Sequence, residues 1–434
     1  MSKNVGFISF RISGTDGVSL ETKKWAQVFE ANGFPCFYMA GELDTPQEKS
    51  FIVEEAHFKT RDNPELSRIY REAFDNDRRP RELTALIHTY RELLKKKIYE
   101  FIETFSIDLL IPQNTLTIPL NVPLALALTE VIAETGIPTI AHHHDFFWER
   151  KRFLRNCVWD YFNSSYPPHL NSIRHVVINS SAQNQLALRT GISSTLIPNV
   201  MPFEQPPIQK DEYNSDVKEE LGIREDQLLI LQPTRVVQRK GIEHAIELVA
   251  RLEMNAVLVI SHASGDEGFE YEQRVREYSD LLGIESIFVE NRIDDERGTM
   301  PDGKKIYTLQ DIYPYADLVT YPSIFEGFGN AFLETIYFRK PILVNNYSIY
   351  SHDIKPKGFK VIEMDGYISK STVDTTREML RNPEMVREIT ELNYNLGLQY
   401  YSYQILEAKL YHIIATFWGK EATDAFRRKV LLEN

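Results

Sequence analysis

Short runs of aliphatic and β-branched residues recur along this chain at helix-length intervals, and charge rarely interrupts them. Over the first 200 residues they are Val5 to Phe10, Phe34 to Met39, Leu109 to Pro112, Pro138 to His142, Val176 to Asn179 and Thr195 to Ile197. A strand apolar on both faces must be covered on both faces, and a parallel sheet wrapped by helices does this. A second series follows: Leu228 to Leu231, Ala256 to Ile260, Ser286 to Val289, Leu318 to Tyr321, Ile342 to Val344 and Phe359 to Ile362. The pattern predicts an α/β protein of two Rossmann-like, doubly wound domains that repeat an architecture without repeating a sequence.

Punctuation between the series sets the expected boundaries. Met201 to Asp216 combines three prolines with polar residues and reads as an interdomain linker. The domains are therefore expected at 1–204 and 205–400, with a helical tail over 401–434. Tyr400, Tyr401, Tyr403, Leu406, Leu410 and Tyr411 give that tail enough apolar surface to pack on other elements. Between Glu42 and Pro80 the period is lost and charge rises, so 42–80 reads as an insertion lying over the first sheet. At 434 residues, 43% hydrophobic and 26% charged, the chain can bury two such cores.

Charge and cysteine usage exclude several classes of function. A net charge of -13 disfavours nucleic-acid binding and adhesion to anionic membranes. The Lys95-Lys96-Lys97 triplet reads as a solvated helix face rather than a binding patch. Cys36 and Cys157 form no CxxC pair, and Met1-Ser2-Lys3-Asn4 runs into a strand without a signal-peptide core. No apolar segment approaches the roughly 20 residues needed to span a bilayer. A cytoplasmic location is expected, with any membrane contact peripheral.

The segment Tyr321 to Glu334 carries the most chemical information. Asp317 to Tyr321 reads as a strand, Glu326 to Gly329 as a turn, and Asn330 to Phe338 as a helix capped by Asn330. Backbone N–H groups of Gly327, Phe328, Gly329 and Asn330 at a helix start suit a phosphate. Glu326 on the turn and Glu334 one turn into the helix would face one ligand from different heights, and sugar hydroxyls are the donors that two carboxylates would accept from. Taken singly, each is also an ordinary turn or helix glutamate.

A second element is Arg235 to Gly241 (RVVQRKG), which follows a strand and opens a helix at the carboxyl edge of a parallel sheet. Arg235 and Lys240 there can neutralise a diphosphate as it departs, with Arg239 expected to point elsewhere. In the first half, Gly14 and Gly17 supply a turn and amide donors at the start of a helix; the absence of GxGxxG makes a nicotinamide cofactor a poor fit. His142-His143-His144-Asp145 closes a strand. Neighbours on a strand alternate faces, so at most His142 and His144 could share a metal ion, and no further Cys/His cluster accompanies them; no metal site is expected. Asp145 would orient a ring, accept an acceptor proton or cap a helix. Gln113-Asn114 and Asn121 offer neutral hydrogen-bonding groups for a polyol or sugar acid, or serve as loop turns.

These motifs, in this order, resemble the E-x7-E signature and donor-phosphate Arg/Lys pair of the retaining glycosyltransferases of family four (glycosyl transferases group 1). The resemblance spans nearly the whole chain and is weakest over 42–80. It implies a GT-B fold with two domains facing a cleft and a C-terminal helix crossing back to the first. It implies catalytic or leaving-group roles for Arg235, Lys240 and Glu326, ribose binding by Glu334, and a loop at Gly14 and Gly17 closing over the diphosphate. It also matches His144 to a donor-sugar histidine, with His143 as the alternative register. Asn114 and Asp145 fall on the acceptor side.

Ile197-Pro198-Asn199-Val200 matches a family segment except that Val200 replaces glycine, and Asn345 to Ile349 departs from the usual Gly-rich loop. The implied reaction is retaining transfer of mannose or glucose from GDP-mannose or UDP-glucose to a small polar acceptor such as a glycerate glycoside, of the compatible-solute kind. No resident cofactor is required, and Mg2+ would have no evident motif to hold it. The donor and acceptor are small molecules, and a homodimer is left open. The alternatives are transfer to a lipid or polysaccharide, or a non-catalytic nucleotide-sugar-binding protein.

Overall fold

The computed structural model describes residues 3–14, 16–58, 63–262, 269–289 and 291–427, the last eight of these by backbone alone. Thr15 of the first loop and tail residues 428–434 lie outside the described residues. The chain divides into two compact units, one formed by Met1–Asn199 with Leu406–Asn434 and the other by Val200–Ile405.

Unit 1 is built on seven strands: β1 (Asn4–Ile8), β2 (Cys36–Ala40), β3 (Ser50–Ile52), β4 (Ile107–Pro112), β5 (Thr139–His143), β6 (Ile173–Val177) and β7 (Ser194–Leu196). Their order is β3-β2-β1-β4-β5-β6-β7, and every pairing is parallel. The reversal between β1 and β4 is the point at which doubly wound sheets bind ligands. Helices Arg81–Phe105 and Val122–Thr135 cover one face, and Leu83, Ile87, Leu94 and Phe101 are fully buried there.

Unit 2 carries β8 (Leu228–Gln232), β9 (Ala256–Ile260) and β10 (Ser286–Phe288). A small hairpin of β11 (Gly298–Thr299) and β12 (Lys305–Ile306) follows, then β13 (Leu318–Tyr321), β14 (Ile342–Asn345) and β15 (Ile362–Met364). The main sheet runs β10-β9-β8-β13-β14-β15, again all parallel. Residues 406–419 of the last helix return to unit 1, where Lys409 Nζ donates to the Leu196 carbonyl at 2.8 Å and Trp418 stacks on Phe34 at 6.4 Å.

The structure refines three expectations. The 42–80 segment does not simply lie over the sheet: Ser50–Ile52 joins it as the edge strand, and Leu66, Ile69, Ala73 and Phe74 enter the core. The proline-rich stretch after Val200 is anchored within unit 2. Phe203 packs edge-on against Tyr394 at 5.3 Å, and the Tyr394 hydroxyl donates to the Phe203 carbonyl at 2.6 Å. Finally, Asn121 takes the turn role of the two left open: its side chain caps helix Val122–Thr135 through the Leu124 amide and donates to the Glu55 carbonyl. Among the described residues, no helix is long and apolar enough to cross a membrane.

Candidate active site

In unit 2, β8 and β13 are neighbours, so the loops that leave their carboxyl ends emerge side by side. The two loops are fastened together. The Ile324 amide donates to the Arg239 carbonyl at 2.8 Å, and Arg239 Nη1 donates to the Phe325 carbonyl at 3.3 Å. Gly241 has φ 60°, and a Cβ there would stand 2.7 Å from the Pro322 carbonyl oxygen; only glycine allows this approach.

Across this seam Glu326 is buried and ion-paired. Its Oε1 accepts from Lys240 Nζ, and its Oε2 lies 3.0 Å from Arg239 Nη1. Burial alone would raise the Glu326 carboxyl, but Lys240 and Arg239 outweigh it and hold the group below the usual carboxylate range. Burial also lowers the Lys240 amine, with Glu326 opposing the shift. The Glu326 carboxylate therefore stays charged near neutral pH, and Lys240 keeps further N–H donors beyond the one spent on Glu326. Arg239 thus points into the site, contrary to expectation.

Helix Asn330–Tyr337 begins where that turn ends. Its cap is Gly329, with no side-chain cap bond, so Asn330 is the first helical residue rather than the capping one. Gly329 has φ 132°, and the Tyr347 hydroxyl donates to the neighbouring Phe328 carbonyl at 2.8 Å. Phe328 is wedged edge-on against Tyr401 at 5.4 Å. A rigid cradle thus holds the Gly327 to Asn330 backbone. Glu334 accepts from the Tyr313 hydroxyl at 3.1 Å, so the two glutamates hold different partners.

Arg235 is exposed at the end of β8. His262, two residues beyond β9 on the adjoining strand, is kept neutral by burial and by the charges of Arg235 and Lys240, which push its pKa down to about 4. Its Nδ1 is 2.6 Å from Ser261 Oγ. Sequence reasoning missed His262, although its place at a strand's carboxyl end, level with Arg235, was a usable signal.

Unit 1 gathers the other expected residues at the carboxyl ends of β1, β4 and β5. The Asn114 side chain organises them, from a backbone φ of 60°. Its Oδ1 accepts from the His144 amide at 2.8 Å, and its Nδ2 donates to Asp145 Oδ1 at 2.7 Å. His144 Nε2 lies 3.1 Å from Gln113 Oε1. His143 turns the other way, buried, with Nε2 at 2.9 Å from His175 Nδ1, while His142 stacks on Trp25 at 4.1 Å. Only His144 of the three is partly exposed. Among the described residues, no group of three or more His, Cys, Asp or Glu could hold a metal ion.

The loop at Gly14 departs from expectation. The Gly14 amide donates to Asp44 Oδ2 at 2.9 Å, and Asp16 caps helix Gly17–Ala31 by accepting from Val18 and Ser19. These helix-start amides are satisfied by the chain's own carboxylates instead of waiting for a phosphate.

The buried imidazoles make unit 1 acid-sensitive. Burial pushes His144 and His175 down to about 4 and takes His142 and His143 well below their ordinary value. Folded, these rings bind fewer protons than unfolded, so stability rises with pH across the window from about 4 to about 6.5 and is lost on acidification. For His175, held at about 4, the loss between pH 7 and pH 5 should be on the order of 2 kcal/mol, and His142 and His143 add to it in the same direction. Thermal melts followed by circular dichroism should show a marked drop across that interval; a flat melting temperature would contradict the burial of these rings.

Two Rossmann-like units, each an all-parallel sheet with helices, have the architecture of a GT-B glycosyltransferase. The chain belongs to the glycosyl transferases group 1 family, whose model matches residues 214–395, and it is a hexosyltransferase. It is 33% identical over 385 residues to a mannosylglucosylglycerate synthase of Petrotoga mobilis, covering 83% of this chain and 86% of that one. A Thermotoga maritima protein of the same name is 30% identical over 439 residues, covering 93% and 97%. Among solved structures, a glycosyltransferase from Rickettsia africae shares the fold at TM-score 0.69 and 14% identity, over 96% of this chain and 98% of that one.

Proposed function

We propose that the protein transfers a mannosyl group, with retention of configuration, from a nucleotide diphosphate-mannose to the sugar of a glucosylglycerate. The observation that carries the transferase part is the seam in unit 2, which fastens the Arg235–Gly241 loop to the turn that starts helix Asn330–Tyr337. The sugar and acceptor rest on the names of the two relatives, whose full lengths this chain nearly spans.

In this reading the donor's anomeric C–O bond breaks, and the electron pair leaves with the diphosphate. Arg235, Lys240 and the amides of Gly327, Phe328, Gly329 and Asn330 stabilise the charge that develops there, an effect worth several kcal/mol in a water-poor site. An acceptor hydroxyl attacks the same face of the sugar and passes its proton to a leaving phosphate oxygen. Lys240 and Arg239 keep the Glu326 carboxylate ionised, so it can accept donor-sugar hydroxyls. Glu334 accepts the ribose hydroxyls, and neutral His144 lines the sugar. No resident cofactor is needed.

The test is a matrix of GDP-mannose and UDP-glucose against glucosylglycerate, glycerate and a diacylglycerol glycoside, read by product mass and by the anomeric NMR coupling. GDP-mannose with glucosylglycerate should give an α-linked mannosyl product. Turnover confined to the lipid acceptor, or tight donor binding without turnover, would overturn this reading.

A further inference from the structure

The acceptor in that reading carries a carboxylate, and the chain as a whole carries a net charge of -13. Such an acceptor is repelled at long range and needs a cation where it binds. The acceptor-side residues expected from the sequence cannot supply one: Asn114 is neutral and Asp145 is an anion. Their side chains are also committed to each other and to the His144 backbone.

The hydrogen-bonded chain does not end at Asp145. Its other oxygen, Oδ2, accepts from Nη2 of Arg150, a residue sequence reasoning passed over. The order runs from the His144 amide to Asn114, to Asp145, to the Arg150 guanidinium, so one relay holds the partly exposed histidine and a cation together. The Arg150 side chain is 42% exposed, which leaves donors of its fork open to solvent.

Arg11, a cation near this cluster, is less suited. Arg11 Nη2 lies 3.0 Å from Asp16 Oδ2, its guanidinium covers the Phe58 ring at 5.3 Å, and its Nε is buried. The acids facing Arg150 are Asp145 and Glu149, and Glu149 Oε2 is taken by the Phe146 amide at 2.8 Å. Lys151 and Arg152 follow directly in sequence, both exposed and, among the described residues, without an ion pair. They add positive potential on the same loop.

The geometry points to Arg150 as the residue that selects an anionic acceptor, binding its carboxylate through the guanidinium donors that Asp145 leaves free. This rests on the reading of the acceptor given above. Arg150 touches no reacting atom in this role; it fixes which acceptor is held beside His144. An arginine fork on a carboxylate is a charge-assisted pair, and losing one typically costs about ten- to a hundredfold in affinity.

The experiment compares wild type, Arg150→Gln and Arg150→Lys with GDP-mannose and two acceptors, glucosylglycerate and glucosylglycerol, in which CH2OH replaces the carboxylate. Arg150→Gln should raise KM for glucosylglycerate by about ten- to a hundredfold. It should leave glucosylglycerol and the donor KM within about twofold, because neither uses the lost pair. Arg150→Lys should recover part of the loss, since it keeps the charge but not the fork. Equal losses on both acceptors would mean that Arg150 only props the His144 loop, and unchanged selectivity would remove it from acceptor recognition; either overturns the proposal while the transferase reading stands. If wild type fails to use glucosylglycerate at all, the acceptor assignment and this proposal fall together.

Discussion

Lys240→Ala is expected to lower kcat by about 10²–10³-fold, the usual loss when one fixed donor to a developing anion is removed. The reason is specific to this seam. Lys240 is buried and already ion-paired with Glu326, so it is a positioned cation that needs no reorganisation when the diphosphate departs. The same substitution leaves the buried Glu326 with Arg239 as its remaining cationic partner, at 3.0 Å. Breaking a buried pair outright costs about 3–5 kcal/mol, and the retained arginine should hold the loss to about 1–3 kcal/mol. Steady-state rates at saturating donor, taken beside a denaturant melt, separate the two effects. A folded Lys240→Ala protein with the wild-type rate would remove this residue from the chemistry.

Gly329→Ala should damage the fold and the donor site together. At φ 132° an L side chain is strained, and the new Cβ would lie 2.5 Å from the Tyr347 hydroxyl oxygen. That hydroxyl holds the Phe328 carbonyl, so the methyl pushes apart the bond that shapes the turn. Strain and a displaced buried hydrogen bond together should cost on the order of 3–5 kcal/mol. Donor affinity should fall with it, because the Gly327 to Asn330 amides move. Gly136→Ala is the control: its φ is 64°, but nothing lies within 4 Å of a Cβ there, so it should cost only about 1 kcal/mol and spare donor binding. Equal effects of the two substitutions, by denaturation and calorimetry, would contradict the cradle.

Much of the fold was readable because buried parallel strands announce themselves as unbroken apolar runs. The runs foreseen at Ala256 to Ile260 and Leu318 to Tyr321 are strands over those same residues. Ser50–Ile52 escaped because an edge strand of three residues, with Ile52 exposed, carries no such signature. The hairpin of β11 and β12 is shorter still, and what fastens it is tertiary: the Tyr213 hydroxyl donates to the carbonyls of Gly298 and Ile306.

Residue types can be nominated from sequence; the directions of their side chains cannot. Arg235, Lys240 and Glu326 were nominated by their place at strand ends together with the family resemblance, but neither says that Glu326 turns onto Lys240 and Arg239. Asn330 looked like a cap because asparagine favours that position, whereas the cap falls on Gly329, whose backbone conformation asparagine would not readily adopt. Gly14 suggested an open amide because nothing local revealed that Asp44, 30 residues on, would take it. Arg150 was invisible since its meaning lies in a relay through Asp145 and Asn114, residues 31 apart in sequence.

The central claim is that one pyrophosphate binds in unit 2 where the loop of Arg235 and Lys240 meets the Gly327 to Asn330 turn. A crystal structure of the full chain with a nucleoside diphosphate tests it most directly. The phosphate oxygens should lie within hydrogen-bonding distance of Lys240 Nζ, the Arg235 guanidinium and at least one amide of that turn. Density for the diphosphate at any other sheet edge, with those two loops untouched, would contradict the account.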